Sequence, residues 1–282
     1  MFPWHDTTGR VSPLKTVVFL ALFAPFVWVV WGNYAGLMGP RPIDESIHEI
    51  GRWTIRLLFL ALAVTPLRVL WNWPDALQLR RMIGVAAFAY AALHLVTYAL
   101  DQKWNIAKVA TEIVLRFYLT IGFVALLGLA ALAVTSTDGW QRRLGGRRWT
   151  QLHRLVYPIA LLAVIHHFLQ SKLNVSEPTV MAGLLIWLML YRVAAARGLR
   201  NRRPGWRLAL LLAPVATVLT ALGEALYFTL TVGAPPLLVL TADLSLDAGV
   251  RPAQVVLAIT AAVALVAGLR RLTRLKAQAR PA

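Results

Sequence analysis

The sequence predicts an all-α integral membrane protein, a six-helix bundle followed by two extra transmembrane helices at the C-terminal end. Three observations predict it. Hydrophobic residues make up 59% of the 282 and charged residues 15%, with mean hydropathy +0.63, whereas soluble domains carry roughly 45–50% apolar and about 25% charged residues. Eight stretches reach or approach the roughly 20 apolar residues that a helix needs to cross a hydrocarbon core. The 29 lysines and arginines gather in alternate connections between those stretches, as the positive-inside bias requires.

Taken in order, the first stretch is 16–37. It is too long for a signal peptide, lacks a small-residue cleavage pattern and ends in Trp28, Trp31 and Tyr34, so it counts as a span. The second, 53–70, follows a connection holding Asp44, Glu45, His48 and Glu49, read as solvated loop residues. The third, 82–100, is entered past Arg80 and Arg81 and carries His94. The fourth, 117–134, is apolar throughout. The fifth, 152–169, opens on His153, contains Pro158 and ends near His166 and His167. The sixth, 179–193, and the eighth, 255–269, are short and need flanking residues or little tilt. The seventh, 208–232, holds Glu224, the one acid placed inside a span. A basic run, 197–207, with Pro204 and Gly205, divides a core, 1–197, from the terminal pair and basic tail, 198–282. No clear internal repeat is legible, and Gly145-Gly146 falls in a basic loop rather than in a nucleotide-binding fingerprint.

With the N-terminus in the cytoplasm, 21 of the 29 basic residues lie inside and 8 of the 12 acids outside. This orientation puts both termini in the cytoplasm. The net charge of +17 is then an orientation signal with anionic lipid as its partner, and nucleic acid is not needed to explain it. The absence of cysteine excludes Cys-ligated iron–sulfur clusters, thiolate-ligated haem, c-type haem attachment and thiol catalysis within the chain.

Histidines inside a span are functional candidates by default. His94 lies 12 residues into the third span and His166 lies 14 into the fifth. These spans run in the same direction, so the two imidazoles share a depth near the outer leaflet. Such a pair suits axial ligation of a haem iron between helices of a bundle; hydrogen bonding across the bundle is the structural alternative. Zinc is less apt, because no third or fourth ligand stands at that depth. His153 lies roughly 20 Å down the helix from His166, and Arg80 stands at the equivalent depth in the third span. A second haem could use His153 with Arg80 as partner or propionate clamp; Arg80 and Arg81 as ordinary inner-surface anchors is the simpler reading. On an ideal helix His166 is turned by about 140° from His153 and His167 by only about 40°, which favours His167 at the outer site unless Pro158 kinks the helix.

The segments QLRRMIGVAAFAYAALHLVTYAL, RFYLTIG and TSTDGWQRRLGGRRWTQLHRLVYPIALLAVIHHFL resemble the haem-binding membrane subunits of the bacterial methionine-sulfoxide reductase system (the MsrQ/YedZ family), within the ferric-reductase-like transmembrane superfamily. The resemblance covers about the first 195 residues. It implies a six-helix haem-binding bundle in which His94, His153 and His166 match the family's histidines, with His167 in reserve. It also implies an arginine, here Arg80, beside an inner haem. The expected cofactor is one or two b-type haems, with flavin mononucleotide associated with the family. The expected role is a bacterial inner-membrane electron-transfer subunit rather than the sulfoxide-reducing enzyme itself. It would pass electrons from the quinone pool to a periplasmic molybdopterin-containing protein-methionine-sulfoxide reductase. The last two spans depart from the six-span form.

The residues themselves favour a wire with a docking surface over catalysis in this chain. Asp44, Glu45, Glu49, Asp101, Glu112 and Glu177 are candidate outer contacts for a partner, each individually read as a solvated loop acid. The rival is a ferric or other metal reductase fed by a cytoplasmic flavin reductase. A non-redox permease is disfavoured, since it calls for more intramembrane charge than Glu224.

Overall fold

The computed structural model of the protein describes residues 4–5, 9–171, 174–198, 205–246 and 249–278. Lys172, the Arg200, Arg202, Arg203 and Pro204 of the basic run, and Arg280 of the tail lie outside the described residues. Among the described residues the chain is helical: α1 (Pro13–Ala21), α2 (Ala24–Tyr34), α3 (Pro42–Leu70), α4 (Leu77–Asp101), α5 (Ile106–Leu115), α6 (Phe117–Val134), α7 (Asp138–His153), α8 (Val156–Gln170), α9 (Ser176–Gly198), α10 (Trp206–Val232), α11 (Pro236–Leu244) and α12 (Pro252–Gln278). Eight helical segments are long and apolar enough to cross a membrane. The two short stretches, the sixth and eighth, gain their length from polar flanks that continue the helix as α9 and α12.

The described residues form two compact units, Met1–Val64 with Asp75–His166 and Thr65–Pro74 with His167–Ala282. In the first unit the opening span is not one helix. Pro25, with no N–H to donate, marks a break between α1 and α2. The break is repaired from α4: the Tyr90 hydroxyl donates to the Leu22 carbonyl at 2.7 Å and accepts from the Phe26 N–H at 3.0 Å. Within hydrocarbon, backbone groups left open by a break need such partners. The second span begins earlier than its apolar stretch. Asp44 and Glu45 sit in the first turn of α3, where acids favour the positive end of a helix. Pro42–Leu70 therefore replaces the solvated loop expected around Glu49.

Two further departures lie in the connections. Residues 106–115 form the amphipathic α5, packed on α6 with Val109 buried. The expected basic loop is instead the helical α7, kinked at Gly145, whose φ of 73° suits glycine. α7 buries none of its residues. It is tethered by Trp149, whose Nε1 donates to the Thr135 carbonyl at 2.8 Å, and by Arg81, which pairs with Asp138 and donates to Gln141.

The second unit packs α9, α10 and α12 together. Ala209, Ala213 and Ala216 of α10 and Val256 and Ala264 of α12 are fully buried. Gly183 of α9 faces Thr220 and Val256, so the helices meet through small residues, as membrane helices do. Trp187 Nε1 donates to the Ala209 carbonyl at 3.1 Å, and Trp71 Nε1 to the Val263 carbonyl at 3.2 Å. Glu224 is not a lone charge. Arg251 Nη2 reaches its Oε1 at 2.6 Å, and Arg251 Nε reaches Asp243 Oδ1 at 3.4 Å. The Glu224 and Asp243 side chains are 2% and 4% exposed and that of Arg251 is 23%. Burial pushes the Asp243 carboxyl above the ordinary carboxylate range, against the lowering pull of Arg251.

Candidate functional site

Two of the expected residues meet in the first unit. The imidazole centres of His94 on α4 and His166 on α8 lie 6.4 Å apart, with ring planes crossing at 86°. Each ring is fixed by a backbone carbonyl. His94 Nδ1 donates to Ile47 O at 2.8 Å, and His166 Nδ1 donates to Tyr118 O at 2.8 Å. A carbonyl can only accept, so each Nδ1 carries the proton and each Nε2 keeps its lone pair. This is the arrangement of a metal-ligating histidine, whose second nitrogen is held by an outer hydrogen bond.

The ring separation suits a metal between them. A metal bound by two imidazoles, about 2 Å from each nitrogen, sets the ring centres roughly 6 Å apart. Among the described residues no group of three or more His, Cys, Asp or Glu converges to hold a metal ion. Two neighbouring imidazoles, and no third ligand of that kind, would suit a haem iron, which takes protein ligands such as histidine beside its porphyrin. The residues present therefore fit a haem iron better than a bare ion.

The choice between His166 and His167 turns on a local break. α7 ends at His153 and α8 begins at Val156, with a turn at 154–155 between them. Pro158 falls in the first turn of α8, where a missing N–H costs little. The angle carried from His153 along one ideal helix therefore does not apply. His166 lies against His94, with ring centres 6.4 Å apart, while His167, the next residue on α8, is turned by about 100° around the helix.

His153 stands apart from that pair. It stacks on Trp149 with centres 3.8 Å apart, its Nδ1 donates to Trp149 O at 3.1 Å, and its Nε2 meets Ser136 Oγ at 3.3 Å. Arg80 is half-buried at the start of α4. The structure holds His153 Nε2 against a serine.

Sequence reasoning missed the supports of the outer pair. Ile47 and Tyr118 contribute only carbonyls, which no side-chain pattern announces. Gly51 lies against His94 and Gly122 against His166. Two acids read as solvated are instead shielded. Glu49 accepts from Trp53 Nε1 at 2.9 Å and pairs with Arg52 and Arg56. Glu112 accepts from the Tyr98 hydroxyl and pairs with Arg116 at 3.3 Å. Both lie beside the site, each on a helix that precedes or contains one of the accepting carbonyls, and their engagement leaves Asp44, Glu45 and Asp101 as the better exposed of the outer acids.

The family described as ferric reductase like transmembrane component matches residues 50–164. The chain is 44% identical over 202 residues to a Rhodospirillum rubrum protein named protein-methionine-sulfoxide reductase heme-binding subunit MsrQ, covering 71% of this chain and 94% of that protein. Proteins of the same name from Caulobacter vibrioides and Xanthomonas axonopodis pv. citri are each 42% identical. They cover 64% and 66% of this chain and 87% and 88% of their own lengths. No solved structure matches the chain.

Proposed function

Because the chain belongs to the MsrQ family of haem-binding subunits of protein-methionine-sulfoxide reductase, we propose that it carries electrons across part of the bacterial inner membrane to a periplasmic sulfoxide-reducing partner. It is an electron-transfer subunit, and the sulfoxide chemistry belongs to the catalytic, molybdopterin-containing subunit. Membrane quinol is the donor in this reading. The observation that carries it is the His94–His166 pair, two carbonyl-anchored imidazoles with 6.4 Å between ring centres.

His94 and His166 would hold a b-type haem, which supplies a one-electron carrier when bound. His153 with Arg80 is the reading for a second, inner haem. The guanidinium charge suits a propionate, and the 3.3 Å Ser136 contact is the one that ligation would have to replace. Both termini lie in the cytoplasm, on the side that carries 21 of the 29 basic residues. That orientation turns the outer histidine pair toward the periplasm and the Arg-rich α7 toward anionic headgroups of the inner leaflet. Residues 1–197 form the haem-binding part and 198–282 an addition. In support, the similarity to the Rhodospirillum rubrum protein spans 94% of its length but 71% of this chain. In packing, however, α9 groups with α10 and α12.

The test is an optical spectrum of the detergent-purified chain, oxidised and dithionite-reduced, with haem quantified per chain. Sharp low-spin α and β bands on reduction and at least one haem per chain are expected. A colourless protein that takes up no added haem would overturn the reading.

A further inference from the structure

The two imidazoles are seated in the same manner on two different helices. His94 reaches the Ile47 carbonyl of α3 and lies against Gly51; His166 reaches the Tyr118 carbonyl of α6 and lies against Gly122. In both cases the glycine stands four residues beyond the accepting carbonyl. In an α-helix the residue at i+4 donates its N–H to the carbonyl of residue i. Its Cβ would therefore flank the oxygen that the imidazole must reach. A Cβ at Gly122 would lie against the His166 ring, 2.7 Å from Cε1, 2.8 Å from Nδ1 and 3.1 Å from Nε2, and one at Gly51 would lie 3.1 Å from both His94 Cε1 and Nδ1 and 4.0 Å from Nε2. The hairpins α3–α4 and α6–α8 thus each contribute one carbonyl, one glycine and one histidine, although the sequence carries no legible repeat.

We propose that Gly51 and Gly122 are positioning residues: each leaves open the path by which a ligand imidazole reaches the carbonyl one helical turn earlier, and so sets its tautomer and ring plane. The proposal rests on reading His94 and His166 as the haem ligands. A methyl group at Gly122 cannot be absorbed by a flexible chain end, because the atoms it meets belong to a ring tied at Nδ1. The ring must withdraw, lengthening or losing the bond to Tyr118 O. Its Nδ1–H is then no longer fixed, and Nε2 is no longer held as the lone-pair nitrogen facing the metal. Gly51 allows more room, so its imidazole needs to give by only a few tenths of an ångström.

α6 also supplies a control. A Cβ at Gly128 would meet Ile159 Cδ1 at 2.7 Å and Cγ1 at 2.8 Å, the same nominal overlap as at Gly122 but against an aliphatic side chain instead of a histidine ring. The experiment compares Gly122→Ala, Gly51→Ala and Gly128→Ala in the purified full chain, with His94→Ala and His166→Ala alongside. It measures haem affinity by titration and the electron paramagnetic resonance spectrum of the oxidised state. Gly122→Ala is expected to weaken haem binding by about 10- to 100-fold, the usual cost of losing a metal ligand's outer partner, and to displace the low-spin g-values. Gly51→Ala should retain haem with a smaller displacement of the same signal, and Gly128→Ala should match the parent in both. If both histidine variants lose the low-spin signal while Gly122→Ala and Gly51→Ala keep parental affinity and spectrum, the seats are overturned and the ligands stand. If the histidine variants keep the signal, the ligand reading itself falls and the seats with it. A Gly128→Ala spectrum displaced like that of Gly122→Ala would assign the effect to helix packing and overturn the proposal. Should Gly122→Ala fail to fold, the spectrum of Gly51→Ala decides, an unshifted signal counting against the seats.

Discussion

His94→Ala and His166→Ala are each expected to abolish one and the same low-spin haem signal, and His167→Ala to leave it intact. The expectation follows from the pair being opposed, with ring centres 6.4 Å apart and both Nδ1 atoms committed to carbonyls. Removing either imidazole would take away one of the two residues that hold a single haem iron. The two variants should therefore be spectroscopically alike rather than additive. His167 is the next residue on α8, turned by about 100° from His166 around the helix, so its loss is expected to leave that pair in place. His153→Ala separates the sites: it spares the outer signal, and it removes a second signal if an inner haem is bound beside Arg80. Optical and electron paramagnetic resonance spectra of the four purified variants check this. A signal lost only in His167→Ala would transfer the outer ligand to that residue and dismantle the geometric argument.

Arg251→Ala is expected to destabilise the second unit by about 3–5 kcal/mol, the cost typical of breaking a buried ion pair from one side. Glu224 and Asp243 are almost wholly buried, and each keeps a second carboxylate oxygen, Oε2 and Oδ2, with no hydrogen-bond partner among the described residues. Arg251 offsets two such groups at once. Without it, two carboxyls face each other in a low-dielectric setting, and both must take up protons or draw in water. Replacing Glu224 and Asp243 by Gln and Asn in the Arg251→Ala background should restore much of the loss, since the stranded charges go with the arginine. Thermal unfolding in detergent, followed by tryptophan fluorescence and by cleavage of the α10–α12 region, measures both. A change below about 1 kcal/mol, the scale of an exposed pair, would mean that the cluster is open to solvent.

How far the fold was legible follows from the same physics. Length and hydropathy locate every span, because a hydrocarbon core leaves a chain little choice but a long apolar helix. What they miss are features set by partners distant in sequence. The break at Pro25 is tolerated because Tyr90, 64 residues from Phe26, covers it, and nothing near residue 25 says so. Glu224 and Arg251 are 27 residues apart and meet only when α10 and α12 pack. α5 is ten residues long, short of any span, and its two-sided pattern is legible only once the flanking helices are fixed.

The candidate site was legible in its side chains and hidden in its supports. His94 and His166 stood out as imidazoles at matched depth. The ideal-helix angle pointed instead to His167, but residues 154–155 turn between α7 and α8, so an angle carried along one helix does not decide between the two. One uninterrupted helix was the wrong premise. Ile47 O, Tyr118 O, Gly51 and Gly122 were invisible, since a carbonyl and a missing Cβ leave no mark in a search for polar groups.

Electrons are expected to enter the haem from quinol and to leave it toward the periplasm, a direction that can be followed optically. The chain is reconstituted in nanodiscs, a reduced quinol analogue is added without nicotinamide, and haem absorbance is followed before and after addition of the oxidised periplasmic reductase. The account predicts haem reduction by quinol and prompt reoxidation by the partner, both lost in His94→Ala and His166→Ala. Haem that stays oxidised with quinol, yet reduces promptly with a flavin reductase and nicotinamide, would contradict it.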